Sequence, residues 1–225
     1  MKYALEIISQ ERCSCGFLGL VRYRLRHSLF AGGWSPIIGR ERIEYLNSAA
    51  AILYDATRDQ IVMVEQFRIG SLEHGQGAWT LEPVGGVLKT GEDAREVVRR
   101  EAMEEAGCKV LDLEPIGAYH VSPGTAADRV RLFCGHIDAA PAGGIHGLRE
   151  EGEDTRVTVM DTAQAIRELY SGRIDTSVAI IAIQWLTMNR GRLRIKWNRP
   201  GEYHYPADKN KSRQERYRMI EHQGP

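Results

Sequence analysis

The first long apolar pattern in the chain has a period of two. From Gly19 to His27, Val21, Tyr23 and Leu25 alternate with arginines, the signature of a half-buried strand. Gly32-Gly33 then turns the chain, and Pro36 to Ile43 returns as the second arm of a hairpin. Such a hairpin is marginal alone and needs a surface to pack on. Ala49 to Tyr54 and Gln60 to Phe67 are continuous apolar runs joined by the turn-rich segment Asp55 to Asp59, so they are expected as buried strands. Between Gly85 and Gly107 the period becomes helical. Beyond it, Ile116 to Val121, Arg129 to Ile137 and Thr155 to Met160 return to strand-like runs, separated by a Gly- and Glu-rich loop from Pro141 to Glu153. Asp161-Thr162 opens a helix to about Tyr170, and Asp175-Thr176 opens another over Ser177 to Asn189. The polar tail, Pro206 to Pro225, is expected to be loosely ordered.

The central helix carries the chemistry. Thr90 to Asp93 fits a capping box, and Gly107 supplies the stop. With successive residues set about 100° apart, Ala94, Val97, Val98 and Ala102 form the stripe that should pack on a sheet. Glu101 and Glu105 fall inside that stripe, one above the other, with Glu104 beside them. Like charges at this spacing repel, the helix C-terminus disfavours anions, and a buried carboxylate is costly unless paired or bound to a cation. A solvated acidic helix end neutralised by Arg99, Arg100 and Lys109 is the alternative, and the angular position argues against it. Clustered carboxylates suit a hard divalent cation such as magnesium.

Composition narrows the setting. Acidic and basic residues balance at 30 each, so no global field draws nucleic acid or an anionic membrane, and an anionic substrate must be held locally. The four cysteines, Cys13, Cys15, Cys108 and Cys134, have no zinc-knuckle spacing. With no signal peptide and no apolar run near the roughly 20 residues of a membrane helix, a cytoplasmic protein is expected.

Gly86, Glu92, Arg100-Glu101, Ala102, Glu104-Glu105, Gly107 and Cys108 resemble the signature of the Nudix hydrolases, and all seven fixed positions of that signature match. The small Ala102 and Cys108 at its two hydrophobic positions touch packing rather than chemistry. The resemblance implies an α/β fold of the Nudix type, an α/β/α sandwich with a mixed sheet. It implies that Glu101, Glu105 and the carbonyl of Gly85 bind magnesium, with manganese as a possible substitute. Glu104 would assist and Arg100 would orient the glutamates. Glu92 supports the start of the helix or is a simple first-turn anion.

Three further segments resemble the ADP-ribose pyrophosphatase branch: Val64 to Arg68, Ser122 to Thr125, and Glu150 to Asp154. By that resemblance Arg68 grips the diphosphate, and Pro123 lies in a loop that helps distinguish substrates. Glu151 is the general base and Glu153 a further metal ligand, or the two roles are exchanged, with Glu150 a third candidate base. Arg40 would reach the substrate from the partner subunit and Phe17 or Leu18 would stack on the adenine, which requires a homodimer. The organisation that follows is a hairpin region at 1–47, exchanged in the dimer, a catalytic domain at 48–190 and a tail at 191–225. The implied reaction is hydrolysis of ADP-ribose to AMP and ribose 5-phosphate. The alternatives are a pyrophosphatase for another nucleotide sugar such as GDP-mannose, and a non-catalytic Nudix-like nucleotide sensor. Thr125-Ala126-Ala127-Asp128 departs from the branch's pattern and bears on the choice of sugar.

Overall fold

The computed structural model describes residues 3–15, 18–44, 47–73, 75, 77–148, 150 and 152–198 of the 225-residue chain. Two sheets form. β1 (Leu5–Cys15), β2 (Gly19–His27) and β3 (Ile38–Glu44) make a three-stranded antiparallel sheet in that order. The second sheet has eight strands: β4 (Ser48–Asp55), β5 (Gln60–Phe67), β6 (Trp79–Glu82), β7 (Val84–Val87), β8 (Asp112–His120), β9 (Arg129–His136), β10 (Ile145–His146) and β11 (Thr155–Asp161). Its main path runs β10-β11-β5-β4-β9-β8, antiparallel throughout except for the parallel pair β4–β9. β4 and β5 pair only near their connecting turn, Leu53 with Val62 through Asp55 with Gln60. Where they diverge, β7 pairs with the first half of β4 and β6 with the second half of β5.

Helix α1 (Ala94–Ala106) covers one face of this sheet, α2 (Thr162–Ser171) and α3 (Ser177–Asn198) the other. The core follows the strand parity. Ala49, Ala51 and Leu53 of β4 with Val62 and Val64 of β5 meet Val97, Val98 and Ala102 of α1, while Ile52, Tyr54, Ile61 and Met63 face Ala182, Ile183 and Leu186 of α3. Each of the fully buried branched side chains contributes roughly 1.5–3 kcal/mol, so the two layers rather than helix propensity hold the sandwich together. The expected α/β/α sandwich with a mixed sheet is present. Among the described residues no helix is long and apolar enough to cross a membrane.

Several boundaries differ from the sequence reading. β1 was not anticipated: Ile7 and Ile8 adjoin rather than alternate, and register shifts between Ile7 and Ser9 and between Arg12 and Ser14 break its period. β6 and β7 are too short and, in β7, too glycine-rich to register as strands. The N-cap of α1 is Asp93, whose carboxylate accepts from Arg95 N–H at 2.9 Å, so the capping box placed at Thr90 is corrected by three residues. Glu92 lies before the helix, accepting from Lys89 N–H at 3.0 Å.

Helix α3 continues past Asn189 and past the domain boundary set at 190. Gly191 takes helical geometry, and the turns beyond it are anchored by side chains. Trp197 stacks on His136 with ring centroids 4.7 Å apart and planes 5° from parallel, and its indole N–H donates to Asp112 at 2.9 Å. Lys196 reaches both Asp112 and Glu114 at 2.9 and 2.8 Å. The tail expected from Pro206 lies outside the described residues. Trp197→Ala should remove this anchor at a cost of about 2 kcal/mol, lowering the Tm by roughly 4–8 °C in a thermal melt; an unchanged Tm would show the last turns to be decorative.

Candidate active site

The site lies over the place where β4 and β5 diverge. Here β7 runs beside β4, Gly85 opposite Ala50 and Gly86 opposite Ala49, and the C-terminal half of α1 crosses above it. Helix and strand come unusually close. A Cβ on Gly86 would stand 1.9 Å from Glu101 Oε1, and one on Gly85 would meet Ala49 O at 2.8 Å, so both positions exclude any side chain. The glycine that opens the sequence signature is therefore the floor on which the Glu101 carboxylate rests. Gly107 ends the helix at φ 62°, donating to Met103 O at 3.0 Å while Cys108 N–H donates to Ala102 O at 2.9 Å. A Cβ at Gly107 would press on the His146 ring at 2.8 Å. Ala102 and Cys108, small for their positions in the signature, are both buried.

Glu105 is only 3 % exposed. Its Oε2 accepts from Gly85 N–H at 2.9 Å and its Oε1 from the Gln66 amide at 3.3 Å. Burial pushes its carboxyl up to about 7; the Gly85 hydrogen bond, Arg68 and Gln66 pull the other way, and Glu101 adds to the rise. Glu101 is also raised, first by burial and then by Glu104 and Glu153, against the pull of Arg100. Arg100 reaches Glu101 at 2.8 Å and Glu104 at 3.1 Å, with Glu92 at 3.8 Å. Burial works against its charge, yet Glu101, Glu104 and Glu92 outweigh it and hold the guanidinium above its ordinary range. One arginine thus faces three carboxylates while Glu105 lies buried behind them. The expectation of Glu101 and Glu105 on the packed face holds for both.

The remaining residues singled out in the sequence fall into two groups. Near the acidic helix, Arg68 directly follows β5 and is held by Glu82 at 2.9 Å, and Glu82 also accepts from Thr80 at 2.8 Å. Glu153 accepts from Leu148 N–H at 3.1 Å, in the loop that follows β10. That loop is fastened to the helix, since Gly147 N–H donates to the carbonyl of Glu104 at 3.2 Å. Glu150 is exposed, and Glu151 lies outside the described residues, as does Phe17. Away from the helix, Arg40 sits exposed on β3, donating to Gly39 O at 2.7 Å, and Leu18 is partly exposed before β2. Pro123 lies in an exposed turn whose Thr125 carbonyl accepts from Ile43 N–H at 2.8 Å, while Ala127 N–H donates to Ile43 O at 3.1 Å. The departure at Ala126-Ala127 is thus where the turn pairs with β3.

Gln66, Thr80 and Glu82 were not recognised in the sequence. They form a buried polar strip on the α1 side of β5 and β6. The available signal was parity: Gln66 continues the row Val62, Val64 that faces the core.

The acidic set fits a divalent cation. Its donors are oxygens, two of its carboxyls are raised by burial and crowding, and a cation would relieve both. Among the described residues no three acidic, histidine or cysteine side chains are grouped closely enough to hold an ion by themselves.

With this geometry in view, the chain belongs to the NUDIX domain family: the family model matches residues 44–176, more than half of its length. It is 39 % identical to the ADP-ribose pyrophosphatase of Escherichia coli (strain K12), over 87 % of this chain and 94 % of that protein. The GDP-mannose pyrophosphatase of Enterobacter sp. (strain 638) is 31 % identical over 67 % of this chain and 78 % of its own length. A solved structure described as an ADP compounds hydrolase superposes with a TM-score of 0.65, covering 84 % of this chain and 96 % of that one at 14 % identity, which speaks to the fold.

Because the Glu105 carboxyl is raised to about 7 in the fold, above its unfolded value, its contribution to stability is complete below about pH 4 and lost as pH rises through 7. In chelator, Glu105→Gln should therefore be the more stable protein at pH 8, by on the order of 3 kcal/mol, with the difference closing towards pH 5. Melts of both proteins across that range test this; a parent more stable than the variant at pH 8 would contradict it.

Proposed function

We propose that the protein hydrolyses the pyrophosphate bond of ADP-ribose to AMP and ribose 5-phosphate. The reading is carried by two carboxylates, the buried Glu105 and the partly buried Glu101, in the seam of α1 against the side-chain-free pair Gly85 and Gly86. The identity to an ADP-ribose pyrophosphatase along nearly the whole of both chains favours this substrate over GDP-mannose.

Glu101 and Glu105, with the carbonyl of Gly85, would hold magnesium, for which manganese could substitute. The cation supplies positive charge to the diphosphate and makes water easier to deprotonate. The protein's own groups do the positioning. Arg100 braces Glu101 and Glu104, and Glu92 adds to that brace from before the helix. Arg68, steadied by Glu82, turns its guanidinium to the diphosphate, where its planar fork matches phosphate oxygens. Water oxygen bonds to one phosphorus, the bridging oxygen leaves with the electron pair of the broken P–O bond, and Glu151 takes the proton from the water. Glu153 would add a further ligand to the cation.

The three-stranded sheet serves a homodimer, in which Arg40 reaches the partner's substrate and Phe17 or Leu18 stacks on the adenine. Exposed Ile7 and Ile8 of β1, with exposed Phe30, Trp34 and Ile37 in the connection from β2 to β3, support that use.

With magnesium and a panel of nucleoside diphosphate sugars, AMP and ribose 5-phosphate should form fastest from ADP-ribose. No AMP above background, or a faster reaction with GDP-mannose, would overturn the substrate. Glu105→Gln should keep the fold and lose at least roughly 100-fold in turnover, whereas Glu151→Gln should slow turnover with manganese binding intact. A Glu151 variant at the parental rate would move the base to another residue of the loop.

A further inference from the structure

We propose that Gln66 is a positioning residue for the carboxylate of Glu105, an inference that rests on Glu105 being a metal ligand. β5 presents Val62, Val64 and Gln66 in turn to the α1 side, and the first two are fully buried in the apolar cluster. Gln66 occupies the next position of that row at 7 % exposure. A buried carboxamide without a partner costs about 1–3 kcal/mol, so its presence there calls for one. The partner is Glu105, at 3.3 Å from the amide nitrogen.

The geometry is specific. Gln66 donates to Oε1 from β5, and Gly85 donates to Oε2 from β7. Two donors from different strands, one on each oxygen, fix the rotation of the carboxylate about its last bond. Each oxygen accepts from about two directions, so one direction on each remains for a cation. The donors also oppose the repulsion between Glu105 and Glu101, which acts to push the two apart. Neutrality matters as well. Arg100 braces Glu101 with a full positive charge, but an amide holds Glu105 without cancelling the charge that attracts the metal.

The test compares Gln66→Met, which keeps the length and removes the donor, with the parent. Manganese binding is titrated by electron paramagnetic resonance without substrate, alongside steady-state kinetics at varied magnesium. The manganese Kd and the magnesium concentration for half-maximal rate should both rise roughly ten-fold or more, with KM for ADP-ribose at saturating magnesium within about two-fold of the parent. The chelated variant should melt within a few degrees of the chelated parent. Parental manganese affinity would overturn the proposal, and so would a fall in Tm above about 10 °C, which would make Gln66 a support of the fold. If Gln66→Met does not fold, Gln66→Asn, whose amide stops short of Glu105, should show the same loss of manganese affinity; parental affinity there would also overturn it. Glu105→Gln titrated in parallel separates the two levels. Undiminished manganese binding in that variant removes the ligand assignment itself, while its loss together with a parental Gln66→Met removes only the positioning role.

Discussion

A helix laid on a sheet must bury one stripe of its surface, and α1 carries carboxylates in its stripe, Glu105 buried and Glu101 partly so. Most other features of the site answer that single constraint. Glu101 can lie flat on β7 only because Gly86 offers no Cβ, and β7 can lie so close to β4 only because Gly85 offers none. Glu105 then depends on main-chain and amide donors rather than on water. Arg100 gathers Glu92, Glu101 and Glu104. The apolar residues on either side, Val97, Val98 and Ala102, supply the burial that keeps the helix seated despite its acidic end.

Two other buried carboxylates of the sheet are neutralised within the protein. Glu65 of β5, on the opposite face from Gln66, is bound by both Arg156 and Arg173. Asp55 accepts from Arg58, Thr57 and Ala139, which together hold its carboxyl below the usual range although burial alone would raise it. Against these closed arrangements the acidic end of α1 stands out. Its carboxylates are crowded and under-compensated, the pattern of groups placed to bind something.

The fold was legible wherever period and burial coincide. β5 was read to the residue, because Ile61 to Val64 leave no alternative to a buried strand. β1, β6 and β7 were not, since an irregular edge strand and two four-residue strands owe their conformation to neighbours rather than to their own pattern. In the site, Glu101 and Glu105 stood out because charge on an apolar stripe violates a strong rule. Gln66, Thr80 and Glu82 did not, because single polar residues within strands are common and only the packing reveals which face they occupy. The glycine floor was noticed as part of a motif, but its steric reason appears only when helix and strand are seen together.

The parallel pairing of β4 with β9 has a consequence for how the molecule comes together. Ser48 lies beside Val130 in that ladder, far apart along the chain, and parallel neighbours cannot be joined by a tight turn. The intervening polypeptide supplies β5 to β8 and α1, hence the glycine floor, the acidic helix and Arg68. Zipping these two strands closes one long loop around nearly all the chemistry, so its entropic toll and the assembly of the reactive groups fall on the same kinetic step. Refolding should be slow relative to helical proteins of this size, and chains that fail to close that ladder are inert as well as unfolded.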